Sequence, residues 1–137
     1  MLSNDEGDPM GELKLPRPTD AELAILRVLW KRGPSTVREV HEAFQDGTGY
    51  TTLLKLMQIM TEKGLVVRDE SQRAHVYSAR VPQQKTQRQL VADLMDRAFG
   101  GSPAQLALQA LSSKKTSPEE LAELRRLLDS LEKEEEP

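Results

Sequence analysis

Residues 48–64 read TGYTTLLKLMQIMTEKG. Leu53, Leu56, Met57 and Met60 fall at i, i+3, i+4 and i+7, which at 3.6 residues per turn aligns them as one apolar helical stripe that must pack on something. The other side carries Tyr50, Thr51, Thr52, Leu54, Lys55 and Gln58, with no acidic residue before Glu62. Such a face can enter a DNA groove. Lys55 suits guanine acceptors or a phosphate, Gln58 can pair bidentately with adenine, and Leu54 can meet a thymine methyl. It is equally the face of an ordinary amphipathic surface helix, because periodicity reports burial and not function. The flanking sequence weighs between the two.

Upstream, Thr19-Asp20-Ala21-Glu22 is a capping box, in which the threonine hydroxyl and the glutamate carboxylate satisfy each other's backbone amides. A helix therefore starts there, with Leu23, Ile25, Leu26, Val28, Leu29 and Trp30 as a wide apolar face, and Gly33-Pro34 ends it. Trp30 is expected in the core, anchoring packing. Thr36-Val37-Arg38-Glu39 repeats the box before a short helix carrying Val37, Val40 and Phe44, with His41 on its solvent side, that ends near Asp46-Gly47. Two helices joined by a tight glycine-containing turn form a helix-turn-helix, whose second helix reads DNA.

Downstream of Gly64 the period becomes extended. Leu65–Arg68 and Arg73–Ser78 are β-branched or alternating runs separated by Asp69–Gln72, which predicts a hairpin and, with the three helices, a winged helix. Arg73 and His75 are expected on one side of the second strand, where a wing meets phosphates; the competing reading is a solvated strand edge. Beyond Pro82 the sequence is helical again. Leu90, Val91, Leu94, Met95, Ala98 and Phe99 share a face that Gly100-Gly101 terminates. Ser102-Pro103 opens a helix with Leu106, Ala107, Ala110 and Leu111, and Ser117-Pro118-Glu119-Glu120 opens another with Leu121, Leu124, Leu128 and Leu131. Three short amphipathic helices cannot hide their stripes within one chain, so self-association is the simplest remedy; packing back on the wing domain is the alternative.

The fold class is thus mainly α with a small β-hairpin. Residues 1–15 read as a disordered acidic tail, 16–81 as a winged-helix DNA-binding domain, 82–131 as a helical dimerisation region with Leu90, Leu94, Phe99, Leu106, Leu111, Leu121, Leu124 and Leu128 at its interface, and 132–137 as an acidic tail. At 137 residues and 37% hydrophobic content the chain is long enough for one cored domain and an extension. It has no cysteine, which excludes disulfides, zinc-thiolate sites and cysteine nucleophiles and fits a reducing compartment. No apolar run approaches a membrane span and the opening MLSNDEGDPMGE is unlike a signal peptide, so a cytoplasmic protein without membrane insertion is expected. The net charge of −3 is unevenly spread: residues 16–81 hold ten Lys and Arg against eight acids, a net +2. That is a weak electrostatic footprint for one copy, and two copies would double the phosphate contacts.

These residues together resemble the BlaI/MecI penicillinase-repressor family of bacterial winged-helix regulators. The similarity runs from about Leu15 to Leu131 and is carried by Leu15 with Thr19–Glu22, Val28-Leu29-Trp30, Thr36–Val40, Gly49–Thr52, Glu62–Val66, and Gly100-Gly101 with the last leucine-rich helix. No single piece is specific, but their order and spacing are. The resemblance implies a homodimer, joined through its C-terminal helices, that represses genes by binding palindromic operators in double-stranded DNA. It also implies relief by cleavage in the dimerisation region, signalled by a membrane sensor-protease. Two departures qualify it. The copper-responsive branch uses cysteine pairs that this chain lacks, and the Asn-Phe bond cut in the penicillinase repressors corresponds here to Gln109-Ala110.

The alternatives to a DNA-binding repressor are a winged-helix module that binds protein and a regulator that senses a small molecule. An enzyme has little support, since two scattered histidines and no clustered carboxylates leave no acid-base pair or metal set to propose, and no cofactor is expected.

Overall fold

The computed structural model describes residues 16–135; the tail expected over residues 1–15 lies outside them. The first helix, α1 (Asp20–Arg32), opens on the anticipated box: Thr19 Oγ1 accepts from the Glu22 amide at 3.2 Å and Glu22 Oε1 accepts from the Thr19 amide at 2.9 Å. Gly33, at φ 89°, ends it with a conformation that a side chain would strain. Helix α2 (Val37–Ala43) repeats the box through Thr36 and Glu39. It stops at Phe44, earlier than the Asp46-Gly47 expected from sequence, because Phe44 takes an extended conformation and rests half-buried on the core. Helix α3 (Tyr50–Lys63) ends at Gly64, in the left-handed conformation at φ 83°.

The core is built from one stripe of each helix. Ile25, Leu26 and Leu29 of α1 meet Val37 and Val40 of α2 and Leu53, Met57 and Met60 of α3, closed by Leu65, Val66, Tyr77 and Val81. Leu56, assigned to the buried stripe, is only half-buried. Trp30 sits at the edge of the core and not in it, and its indole donates to the Val81 carbonyl at 3.0 Å. An indole N–H needs such a polar partner, which keeps the ring at the boundary.

Strands β1 (Val66–Asp69) and β2 (Val76–Ala79) pair antiparallel with Arg68 opposite Tyr77. The second strand is shorter than the Arg73–Ser78 read from the sequence. Pairing ends at Asp69 opposite Val76, because Asp69 Oδ1 accepts from the Ser71 amide at 2.9 Å and turns the chain away. Arg73, Ala74 and His75 therefore belong to the wing loop. A further link was not visible in the sequence: Ser35 and Tyr77 exchange backbone hydrogen bonds of 2.9 and 2.7 Å, joining the α1–α2 turn to the hairpin.

Glu22 is 2% exposed, and its carboxylate accepts from Lys63 Nζ at 2.7 Å, tying the start of α1 to the end of α3. Burial alone would push this carboxyl up, but the Lys63 ammonium and the Thr19 amide and hydroxyl outweigh it and hold the group below its ordinary value. A depressed folded-state value means that the carboxylate stabilises the fold above the ordinary carboxylate range, and that this contribution is lost as pH falls through the folded-state value. Lys63→Ala is expected to cost about 1–2 kcal/mol at neutral pH, less than for a fully buried pair because the lysine is partly solvated. Urea melts across pH should show its acid limb shifted to higher pH and the two proteins converging in strong acid. Identical limbs would mean the pair contributes nothing.

The described chain forms two compact units, one up to Gln89 and one from Leu90, and the division falls within helix α4 (Gln83–Ala98). The first unit extends past Val81 because both Val81 and Thr86 are buried. In the second, Gly100 and Gly101, at φ 58° and 80°, end α4, with the Gly101 amide donating to the Met95 carbonyl at 2.9 Å. Ser102 caps α5 (Pro103–Ser113), and Ser117 with Glu120 caps α6 (Pro118–Glu135). The acidic run expected as a tail continues α6 as far as Glu135. No described helix is long and apolar enough to cross a membrane.

Candidate nucleic-acid interface

Helix α3 is aimed by the turn before it. Asp46 Oδ1 accepts from the Thr48 hydroxyl at 2.6 Å and from its amide at 2.9 Å, and these bonds lower the Asp46 pKa. Gly49 caps α3 with no side chain, and its first turn holds no acid. The leading amides are thus left for an external acceptor, unlike those of α1 and α2, which the threonines satisfy.

With Leu53, Met57 and Met60 buried, the helix turns Tyr50, Thr51, Thr52, Lys55 and Gln58 to solvent. Leu54 differs from the free groove-facing position read from the sequence. It is half-buried and packs on the core, because its place in the helix lies over the seam with α2 and the hairpin. His41 also departs from expectation: it is half-buried, its ring meeting Tyr50 edge-on at 6.0 Å between centroids.

A cleft of about 790 Å³ opens between α2, the beginning of α3 and the wing. It brings together four residues singled out in the sequence, Tyr50, Leu54, Arg73 and His75, while Thr51, Thr52, Lys55 and Gln58 lie on the α3 face outside it. Arg38, His41 and Glu42 of α2 complete its rim. Sequence reading passed over Arg38, whose only signal was a basic residue just inside a capping box, and although Glu42 follows it at i+4 the two form no ion pair. At the base of the wing Arg68 Nη2 pairs with Glu70 at 2.6 Å. The described residues contain no group of His, Asp and Glu able to hold a metal ion.

The second unit carries the other set of candidates. Helices α5 and α6 contain no buried residue. Leu94, Leu111, Leu121 and Leu128 are exposed, while Leu90, Phe99, Leu106 and Leu124 are half-buried. Leu108 and Leu127, absent from the expected set, are 59% and 54% exposed, so the apolar surface is wider than the i, i+3, i+4 count indicated. Gln109 and Ala110 are exposed within α5, where the Gln109 carbonyl accepts from the Ser113 hydroxyl.

A family model described as penicillinase repressor matches residues 18–130. The transcriptional regulator BlaI of Mycobacterium tuberculosis is 34% identical over 122 residues, covering 87% of this chain and 88% of the relative. The penicillinase repressor of Bacillus licheniformis is 23% identical over 118 residues, covering 85% and 92%. Among solved structures, the DNA-binding domain of the repressor BlaI aligns with a TM-score of 0.47 at 23% identity, over 53% of this chain and 90% of that one.

Proposed function

The chain belongs to the penicillinase repressor family, and from that premise we propose that it is a transcriptional repressor that binds palindromic operators in double-stranded DNA as a homodimer. The observation that carries this reading is the solvent face of α3, where Tyr50, Thr51, Thr52, Lys55 and Gln58 stand exposed beside a wing bearing Arg73 and His75. In this role α3 enters the major groove, Lys55 and Gln58 reach base edges or phosphates, and Leu54, held by the core, limits how deep the helix sits.

Self-association is supported by the second unit. Leu94, Leu108, Leu111, Leu121, Leu127 and Leu128 are all exposed, and fully burying a leucine is favourable by roughly 1.5–3 kcal/mol. A second copy supplies an identical apolar surface in a closed two-fold arrangement. Relief of repression through a sensor-protease pathway then acts by severing this unit. A bond inside α5 is cut only after local unfolding of the helix, which must break the Ser113 bond to Gln109 along with the backbone ladder.

Lys55→Ala and Gln58→Ala test the reading. Each should leave the melting temperature unchanged, and a true base contact should cost roughly 1–3 kcal/mol and relax preference at one base pair in a binding-site selection. Equal weakening on every sequence would make the residue a phosphate contact, and unchanged binding by both would take α3 out of the groove.

A further inference from the structure

The cleft between α2, the start of α3 and the wing holds cations that the fold does not use. Elsewhere in the first unit Lys63 pairs with Glu22, Arg32 with Glu39 and Arg68 with Glu70, while Arg27, Lys31, Lys55 and Arg80 lie outside this cleft. Arg38 and Arg73 are exposed and, among the described residues, make no ion pair, yet both line this one cleft from different elements. His41 of α2 and His75 of the wing line it too, and Glu42 is its single carboxylate. The floor is apolar: Val37 and Tyr77 are 5% and 1% exposed, and Leu54 is half-buried. A charge held over such a floor is less screened than one on an open helix face. Guanidinium groups present forked donors that match phosphate oxygens, and imidazole N–H groups add single donors.

Building on the DNA-binding reading, we infer that this cleft is a phosphate site that takes one backbone phosphate of the operator, gripped by Arg38 from α2 and Arg73 from the wing. Tyr50 belongs both to the cleft and to the α3 face, so a helix lying in the major groove brings the sugar-phosphate strand at the groove edge to the cleft mouth. The contact sets the register of α3 and carries no sequence information of its own. Arg38 thereby joins the interface as a positioning residue.

The test uses the full chain, its Arg38→Ala and Arg38→Lys variants, an operator duplex and an unrelated duplex of equal length, titrated over a range of salt. Arg38 is exposed, so melting curves should be unchanged. Arg38→Ala should weaken binding to both duplexes by about the same factor, roughly tenfold, and reduce the slope of log K against log salt by about 0.9, the value for one phosphate contact. Arg38→Lys keeps the charge and should keep most of the slope. Wild-type binding to the operator with Arg38→Ala unchanged in affinity and slope would overturn the phosphate site alone. A loss confined to the operator would make Arg38 a base contact and overturn it as well. A wild-type chain that binds neither duplex would overturn the DNA-binding reading itself. Inorganic phosphate added at constant ionic strength separates the two sources of the same anion: displacement of the duplex at sub-millimolar phosphate would assign the cleft to a free ion and refute the backbone contact.

Discussion

A chain ending at Gln89 should lose roughly 10²–10⁴-fold in affinity for a palindromic operator while keeping the preference for each half-site. The size of the loss comes from linkage and not from any DNA contact removed. Residues 1–89 hold thirteen Lys and Arg against twelve acids, a net +1, so one copy has a modest electrostatic hold, and a dimer makes the second half-site encounter intramolecular. The cut belongs after Gln89 and not directly after Ala79. Val81 is in the core and its carbonyl accepts the Trp30 indole, while Thr86 is buried, so an earlier end would confuse unfolding with loss of the dimer. Sedimentation should give a monomer, and fluorescence anisotropy the loss in affinity. An operator affinity equal to that of the whole chain would refute a dimer-dependent repressor. Cleavage between Gly100 and Lys115 in induced cells would produce the same state, with mass spectrometry showing an N-terminal fragment ending in that window.

Tyr77→Ala is expected to be the most destabilising single change in the first unit, at about 3–5 kcal/mol by comparison with other buried aromatic truncations. Tyr77 is 1% exposed, packs in the core from β2, and its backbone bonds to Ser35 hold the wing to the α1–α2 turn. It also lines the cleft that contains Arg73 and His75. Thermal or urea melts should therefore show a large loss of stability, and at temperatures where the variant is still folded operator binding should fall as well. Hydrogen exchange gives a separate readout, with protection lost first in β1, β2 and the Ser35 amide. Tyr77→Phe should retain most of the stability, since the ring supplies most of the buried area. A Tyr77→Ala variant as stable as the parent would mean the hairpin is not fastened through this residue.

Local chemistry alone settled the start of each capped helix and which stripe of α3 is buried, because a capping box spans four residues and an amphipathic period repeats within two turns. Thr19 with Glu22, Thr36 with Glu39, and Ser117 with Glu120 all cap as their spacing predicts. The order of three helices and a hairpin followed from the same kind of signal, and with it the winged-helix class and the candidate face of α3. Tertiary structure decided what depends on residues far apart in the chain. The second strand begins at Val76 because its register against β1 runs out there, so Arg73 and His75 moved from a strand to a loop. Leu54 was drawn half into the core and His41 against Tyr50 by the packing of α2 on α3. Lys63 found Glu22 across 41 residues, an ion pair that no spacing rule encodes. Arg38 gained its place beside the wing in the same way. A periodic pattern reports which side of an element turns inward, and only the packed chain determines which elements close a cleft together.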